Sequence, residues 1–166
     1  HHCRAHPAGQ RGILRPPRIP DSSGRVGGSG RDLAPTGPGQ QAQDWARDRI
    51  AGGDQIIVPE IADYEVRREL IRAGKTQGIA RLDELCAGLS YHPLSTPIMR
   101  DAAQLWAQAR NDGYPTAHDA ALDGDVLLAA QARNLHSMTP DKRVVVATTN
   151  VAHLERYVDA SLWTEL

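Results

Sequence analysis

The chain contains no phenylalanine, and aromatic residues make up only 4% of it, so any core has to be built from Leu, Ile, Val and Ala. It also has no excess of charge of either sign. Nineteen Lys and Arg face twenty Asp and Glu, for a formal net charge of −1. That balance excludes a nucleic-acid binder working by bulk positive charge, though not an enzyme that meets nucleic acid through a local basic edge. Cysteine is scarce too. Cys3 and Cys86 lie far apart with no metal-type spacing, which suits a reduced, cytoplasmic protein better than a disulfide framework. No apolar run approaches a membrane span and no signal peptide is visible, so no membrane role is expected. At 166 residues the chain fits one domain with a tail.

What is present divides near Gln43. Residues 1–42 are rich in Pro, Gly, Arg and Ser with almost no apolar periodicity, a composition that cannot offset its own ordering entropy, and they read as disordered. GRVGGSG (24–30) has the look of a phosphate-cradling loop but neither follows a strand nor opens a helix, so a nucleotide-binding module is disfavoured. His1, His2, Cys3 and His6 read as a frayed terminus rather than a metal site.

From residue 43 to 166 the pattern is that of an α/β domain. DWARDRIAGG predicts a helix stopped by Gly52 and Gly53, and DQIIVP a buried strand. Pro59 suits the start of a helix running to Gly74, and a further helix fits Ile79–Ala87. LSYHPLS reads as a short strand and turn. Thr96 is placed as the cap of a helix whose apolar face is Met99, Ala102, Ala103, Trp106 and Ala109 or Arg110. The stretch Thr116–Asn134 is predicted as one helix, acidic at its start and then almost wholly apolar, with Thr116 as a weak cap. Arg143–Ala147 reads as a buried strand, Val151–Tyr157 as a short helix, and Leu162–Trp163 as a last edge strand. Strands alternating with helices imply a mostly parallel sheet with helices on both faces.

Within that frame a few polar residues could carry chemistry. Glu65 lies among Ile61, Ala62, Val66 and Leu70 on a helix that follows a strand directly; it either pairs with a neighbouring arginine or points over the strand ends. Asp125 shares its helical face with Leu128, Ala129 and Ala132, so it is aimed at the core and needs a partner. Asp123, two residues earlier, falls about 200° away on a regular helix, and with Asp119 reads as a helix-start charge. Asn150 ends VVVATTN, as a turn residue or a site amide. Arg67, Arg68 and Arg72 could meet RNA phosphate or acidic partner groups, with ordinary solvated charge as the blander and slightly favoured reading.

VPEIADYEVRREL, GDVLLAAQA and VVVATTNVAHLERYV, in that order and with those gaps, resemble successive motifs of PIN-domain ribonucleases, in particular the VapC-like toxins of type II toxin–antitoxin pairs. The resemblance covers about Asp44 to Leu166. It implies a PIN-like parallel sheet and an acidic cluster that holds Mg²⁺ or Mn²⁺ in a cytoplasmic, metal-dependent endoribonuclease. The matching positions are Glu65 and Asp125 as catalytic and metal-binding acids, Asn150 as the polar residue after the strand, Asp123 as an extra metal contributor, and Thr149 and Arg68 toward substrate. Hard oxygen ligands suit Mg²⁺, and a metal-bound water is the better nucleophile on RNA phosphate. A cognate antitoxin protein and a homodimer are implied as partners.

The same resemblance exposes a gap. Such domains open with a central strand ending in Asp, and residues 1–42 offer nothing like it: GILRPPRIP runs into two prolines, and Asp21 and Asp32 stand in Gly, Ser and Pro-rich surroundings. The central first strand is expected to be absent or replaced, through a shifted reading frame or a decayed gene start. Its loss would leave Gln55–Val58 and Val144–Ala147 unpaired on one side. The alternative function is an inactive PIN-derived remnant or antitoxin-binding module.

Overall fold

Two β-branched runs set the sheet. Ile56, Ile57 and Val58 are each 3% exposed, and Val145, Val146 and Ala147 are buried as deeply, as expected for strands covered on both faces. The computed structural model describes residues 11–14, 38–114 and 123–166. In chain order these are β1 (Arg11–Leu14), α1 (Pro38–Ala51), β2 (Gln55–Pro59), α2 (Glu60–Arg72), α3 (Thr76–Gly88), β3 (Ser90–His92), α4 (Thr96–Asn111), α5 (Gly124–Met138), β4 (Val144–Thr148), α6 (Val151–Leu154) and β5 (Ala160–Leu162). The strands form one five-stranded sheet, order β3-β2-β1-β4-β5, and every pairing is parallel.

The central strand is therefore present, inside the segment expected to lack structure. Gly12 and Ile13 pair with Ile56 and Ile57 on one side and with Val145 and Val146 on the other. The expectation failed because it weighed composition and the two prolines of GILRPPRIP rather than the neighbours a strand there would have. A four-residue insert between two apolar strands needs only its backbone groups for two ladders, and such context overrides propensity. The prolines do not interfere, since Pro16 and Pro17 follow the strand rather than sit in it. Neither β2 nor β4 is left with the open edge that a missing strand would create. Helix α1 likewise starts at Pro38, before the expected boundary.

Helix α5 is the centre of the domain. Val126 through Ala132 are all buried, as for a helix covered on every side, and the core cluster joins them to Ile57, Ile61, Ile98, Leu105, Val146 and Leu154. Each Leu or Val sequestered in this way contributes about 1.5–3 kcal/mol relative to exposure. The one polar side chain in this stretch, Gln131, is 0% exposed, and both ends of its amide are used. Its oxygen accepts from the Ile61 amide at 3.3 Å and its nitrogen donates to the His92 carbonyl at 2.6 Å. Gln131 thus ties α5 to the first turn of α2 and the end of β3 without leaving a buried amide unpaired.

Three local expectations change. Helix α5 begins at Gly124, not Thr116; Thr116 and Asp119 lie outside the described residues, as do Cys3, Asp21, Asp32 and the 24–30 glycine run. Helix α4 buries Ile98, Ala102, Leu105 and Ala109, leaving Met99 46% exposed, so its core face is turned by about one residue from the expected one. Its N-cap is Ser95, with Thr96 already inside the helix and no side-chain cap bond. At the far end, Trp163 meets Trp45 edge-on at 6.1 Å and closes the chain onto α1. Among the described residues no helix is long and apolar enough to cross a membrane.

Candidate functional site

In a parallel sheet of this order the chain turns to opposite sides on leaving β1 and β4, and the carboxyl ends of those strands open a crevice between them. Leu14 pairs with Ala147, so both strands end level, and Thr148 closes β4 there. Thr148 is 0% exposed, and its hydroxyl accepts from the Asn150 amide at 3.0 Å, fixing the turn that presents Asn150. Its neighbour Thr149, expected to be the polar companion at the site, is exposed.

Asp125 comes to the same place from α5. It is 8% exposed, and its Oδ2 accepts from Asn150 Nδ2 at 3.4 Å and meets His153 Nδ1 at 3.0 Å. The expected need of this buried acid for a partner is thus met by an amide and an imidazole. His153 was not among the expected site residues. The available signal was its position three residues after Asn150, which a helical turn starting at Val151 brings to the same side.

Asp123 behaves differently. It is not on the helix but caps it, with φ −86° and ψ 94°, so the 200° separation from Asp125 does not apply. Its Oδ1 accepts from the Asp125 and Val126 amides at 3.2 and 3.3 Å, and the residue is 4% exposed. This oxygen serves the two amide donors that the helix start would otherwise leave unpaired.

Glu65 reaches the same helix start from α2. A Cβ built at Gly124 would stand 2.9 Å from Glu65 Cδ and closer still to Oε1, so the end of the Glu65 side chain fills the space beside that glycine. The carboxylate of Glu65 therefore lies directly against the first residue of α5, where the helix dipole favours negative charge. Glu65, Asp123 and Asp125 are thereby gathered at one helix terminus.

Arg68 is not joined to this group. It is exposed, lies 5.5 Å from the Tyr64 ring and 3.9 Å from Glu69. Arg67 bridges Asp63 and Asp83 at 2.9 and 2.7 Å, fastening α2 to α3, and Arg72 pairs with Glu69 at 2.8 Å. Two of the three α2 arginines are thus spent within the protein, in line with the blander reading of that face.

Carboxylate and amide oxygens are the right donors for Mg²⁺ or Mn²⁺ in kind. In number and placement they fall short. Among the described residues no group of three or more His, Cys, Asp or Glu is disposed to hold a metal ion. Asp123 Oδ1 is committed to helix amides and Asp125 Oδ2 to Asn150 and His153. The sequence after β1 continues with Arg15 rather than an acid. The described residues do not fit a divalent cation held by a carboxylate cluster.

Solved structures with this architecture are close in shape and distant in sequence. VapBC-1 from nontypeable Haemophilus influenzae aligns at a TM-score of 0.56 and 17% identity, over 73% of this chain and 86% of that one. The chain has the PIN-like fold of VapC proteins. VapBC2 from Rickettsia felis, bound to a DNA fragment from their promoter, aligns at 0.52 with 17% identity, over 78% and 86% of the two chains. DNA-bound VapBC from Salmonella typhimurium aligns at 0.51 with 19% identity, over 72% and 85%. No family model and no curated protein matches the sequence. The likeness agrees with the resemblance read from the three motifs, and at these identities it speaks for the PIN-like fold alone.

Proposed function

We propose that the chain is a VapC-like toxin-type protein of a toxin–antitoxin pair, built on the site of a metal-dependent endoribonuclease from which the first acid is gone. Glu65, Asp125 and Asn150 are the surviving catalytic positions, and His153 holds Asp125 in place. The observation that carries this reading is the convergence of Glu65 and Asp125 on the start of α5, at the switch point of a PIN-like sheet. Asp125 is buried, and a buried acid is costly unless paired, so a fold that keeps it beside Glu65 at one helix terminus supports the reading of a site.

The finer reading follows from what stands around that pair. In the complete site, Mg²⁺ or Mn²⁺ would activate water and steady charge on the RNA phosphate. Here the donor set is incomplete, and we infer that this polypeptide cleaves RNA weakly or not at all while remaining able to bind a cognate antitoxin and to pair as a homodimer. Cleavage of an RNA pool in Mg²⁺ or Mn²⁺ tests it. Little cleavage by the natural chain and a gain in Arg15→Asp support the reading; vigorous cleavage by the natural chain that disappears in Asp125→Asn contradicts the loss of function.

A further inference from the structure

Two nitrogen donors converge on one oxygen of Asp125. Asn150 Nδ2 stands 3.4 Å from Oδ2, and His153 Nδ1 stands 3.0 Å from it. A carboxylate only accepts, so the imidazole facing it carries its hydrogen on Nδ1. In that form Nδ1 has no lone pair to give a metal and presents the positive end of an N–H dipole instead. The lone pairs of Oδ2 that a divalent cation would need are the ones these donors engage.

The two donors differ in what else they can offer. A half-turn of the Asn150 amide exchanges nitrogen for oxygen, and an amide oxygen is compatible with a cation. His153 has to shed the Nδ1 hydrogen or leave. Leaving is open to it, because the contact is one-sided: the Asp125 side chain is 10% exposed and that of His153 is 47% exposed. The next residue, Leu154, is 0% exposed and belongs to the core cluster, so the backbone of α6 is held while the imidazole reaches solvent. An exposed side chain of this kind changes rotamer quickly. Asp125, in the first turn of the buried helix α5, has no such freedom.

We propose that His153 is an autoinhibitory residue of the acid site, which occupies the Asp125 carboxylate and competes for it with hard divalent cations such as Mg²⁺ or Mn²⁺. The inference rests on the reading of Asp125 as a cation-site acid given above, and not on RNA cleavage. It acts independently of the residue that follows β1. Even with an acid restored there, a cation gains Asp125 Oδ2 only in molecules whose imidazole has swung out. A contact closed about nine-tenths of the time lowers apparent cation affinity about tenfold. His153 thereby sets the cation concentration at which the site engages.

The test is Mn²⁺ binding to the full chain without RNA, read by electron paramagnetic resonance, with urea unfolding to confirm that each variant is folded. The expected result is weak binding by the natural chain and binding about tenfold tighter in His153→Ala. His153→Lys, whose ammonium can only donate, should keep the site closed. Asp125→Asn added to His153→Ala should remove the gain, which ties it to that carboxylate. On the natural chain, which needs no variant, rising Mg²⁺ should move the His153 ring resonances toward those of a solvent-exposed histidine. Equal Mn²⁺ affinity in the natural chain and His153→Ala, or no Mn²⁺ binding by either, overturns the inference. Weaker binding in His153→Ala overturns it too, because the imidazole is then itself a ligand. A gain in Mn²⁺ affinity in His153→Ala, with no cleavage of RNA by Arg15→Asp, retains the autoinhibitory contact and rejects the nuclease reading. Cleavage by Arg15→Asp, with Mn²⁺ affinity unchanged by His153→Ala, does the reverse.

Discussion

Gly124 and Glu65 touch across the space between α5 and α2, so closely that the absence of a side chain at one is what admits the carboxylate of the other. Gly124 does not occupy a left-handed conformation, so its requirement is one of space rather than of backbone freedom. In a helix, Gly→Ala would ordinarily stabilise by up to about 1 kcal/mol. Here Gly124→Ala is expected to forfeit much of that gain, because the Glu65 carboxylate has to move aside for the new Cβ. The same change made in a Glu65→Ala background should recover the full gain. Urea unfolding of the four proteins in this double-mutant cycle measures the coupling, and additive effects would show that the two residues do not meet.

The role of Asp123 as a helix cap has its own signature. Asp123→Ala should cost about 1 kcal/mol of stability, by removing the acceptor for the Asp125 and Val126 amides. Asp123→Asn should cost far less, since an asparagine oxygen caps equally well. Thermal denaturation of the two variants separates them. Equal losses in both would point to the charge instead of the hydrogen bonds.

A pH dependence follows from His92. Burial lowers this imidazole below its ordinary value of 6.5, against smaller opposing contributions from Asn134 and Gln131. The unfolded chain then takes up a proton more readily than the folded one as pH falls through 6.5. Its contribution to stability is intact above that point and declines below it, down to the depressed folded value. The natural chain should therefore lose stability relative to His92→Gln between about pH 7 and pH 5. Unfolding free energies measured at both ends of that window check the sign, and a constant difference would show that His92 titrates alike in both states.

Much of this arrangement is visible in the sequence, for reasons that can be named. The runs Gln55–Pro59 and Val144–Thr148 are short, β-branched and almost unbroken, and they are indeed the strands on either side of the sheet's centre. Asp125 stands out because an acid on an apolar helix face must find a partner. Glu65, which its own neighbours leave closer to a solvated helix face, is marked instead by the resemblance of VPEIADYEVRREL to a PIN motif. The central strand is hidden because Arg11–Leu14 has little propensity of its own and takes its form from the two ladders around it. His153 is hidden because its role depends on where α6 sets down beside α5, a tertiary fact. Asp123 was misplaced by assuming that the helix already ran through it. The α4 face was misjudged by trusting the larger Trp106 and Met99, where the smaller Ile98 and Leu105 face inward.

The most direct test of the account is Mg²⁺-dependent cleavage of a single RNA pool by the natural chain, by Arg15→Asp, and by Arg15→Asp combined with Asp125→Asn. Arg15 follows β1 in the sequence, where the resemblance to PIN-domain ribonucleases places an acid. The account predicts cleavage close to the metal-free background for the natural chain, a rise on restoring the acid, and a return to background when Asp125 is removed. Strong Mg²⁺-dependent cleavage by the natural chain, or no gain from Arg15→Asp in a folded protein, would contradict it.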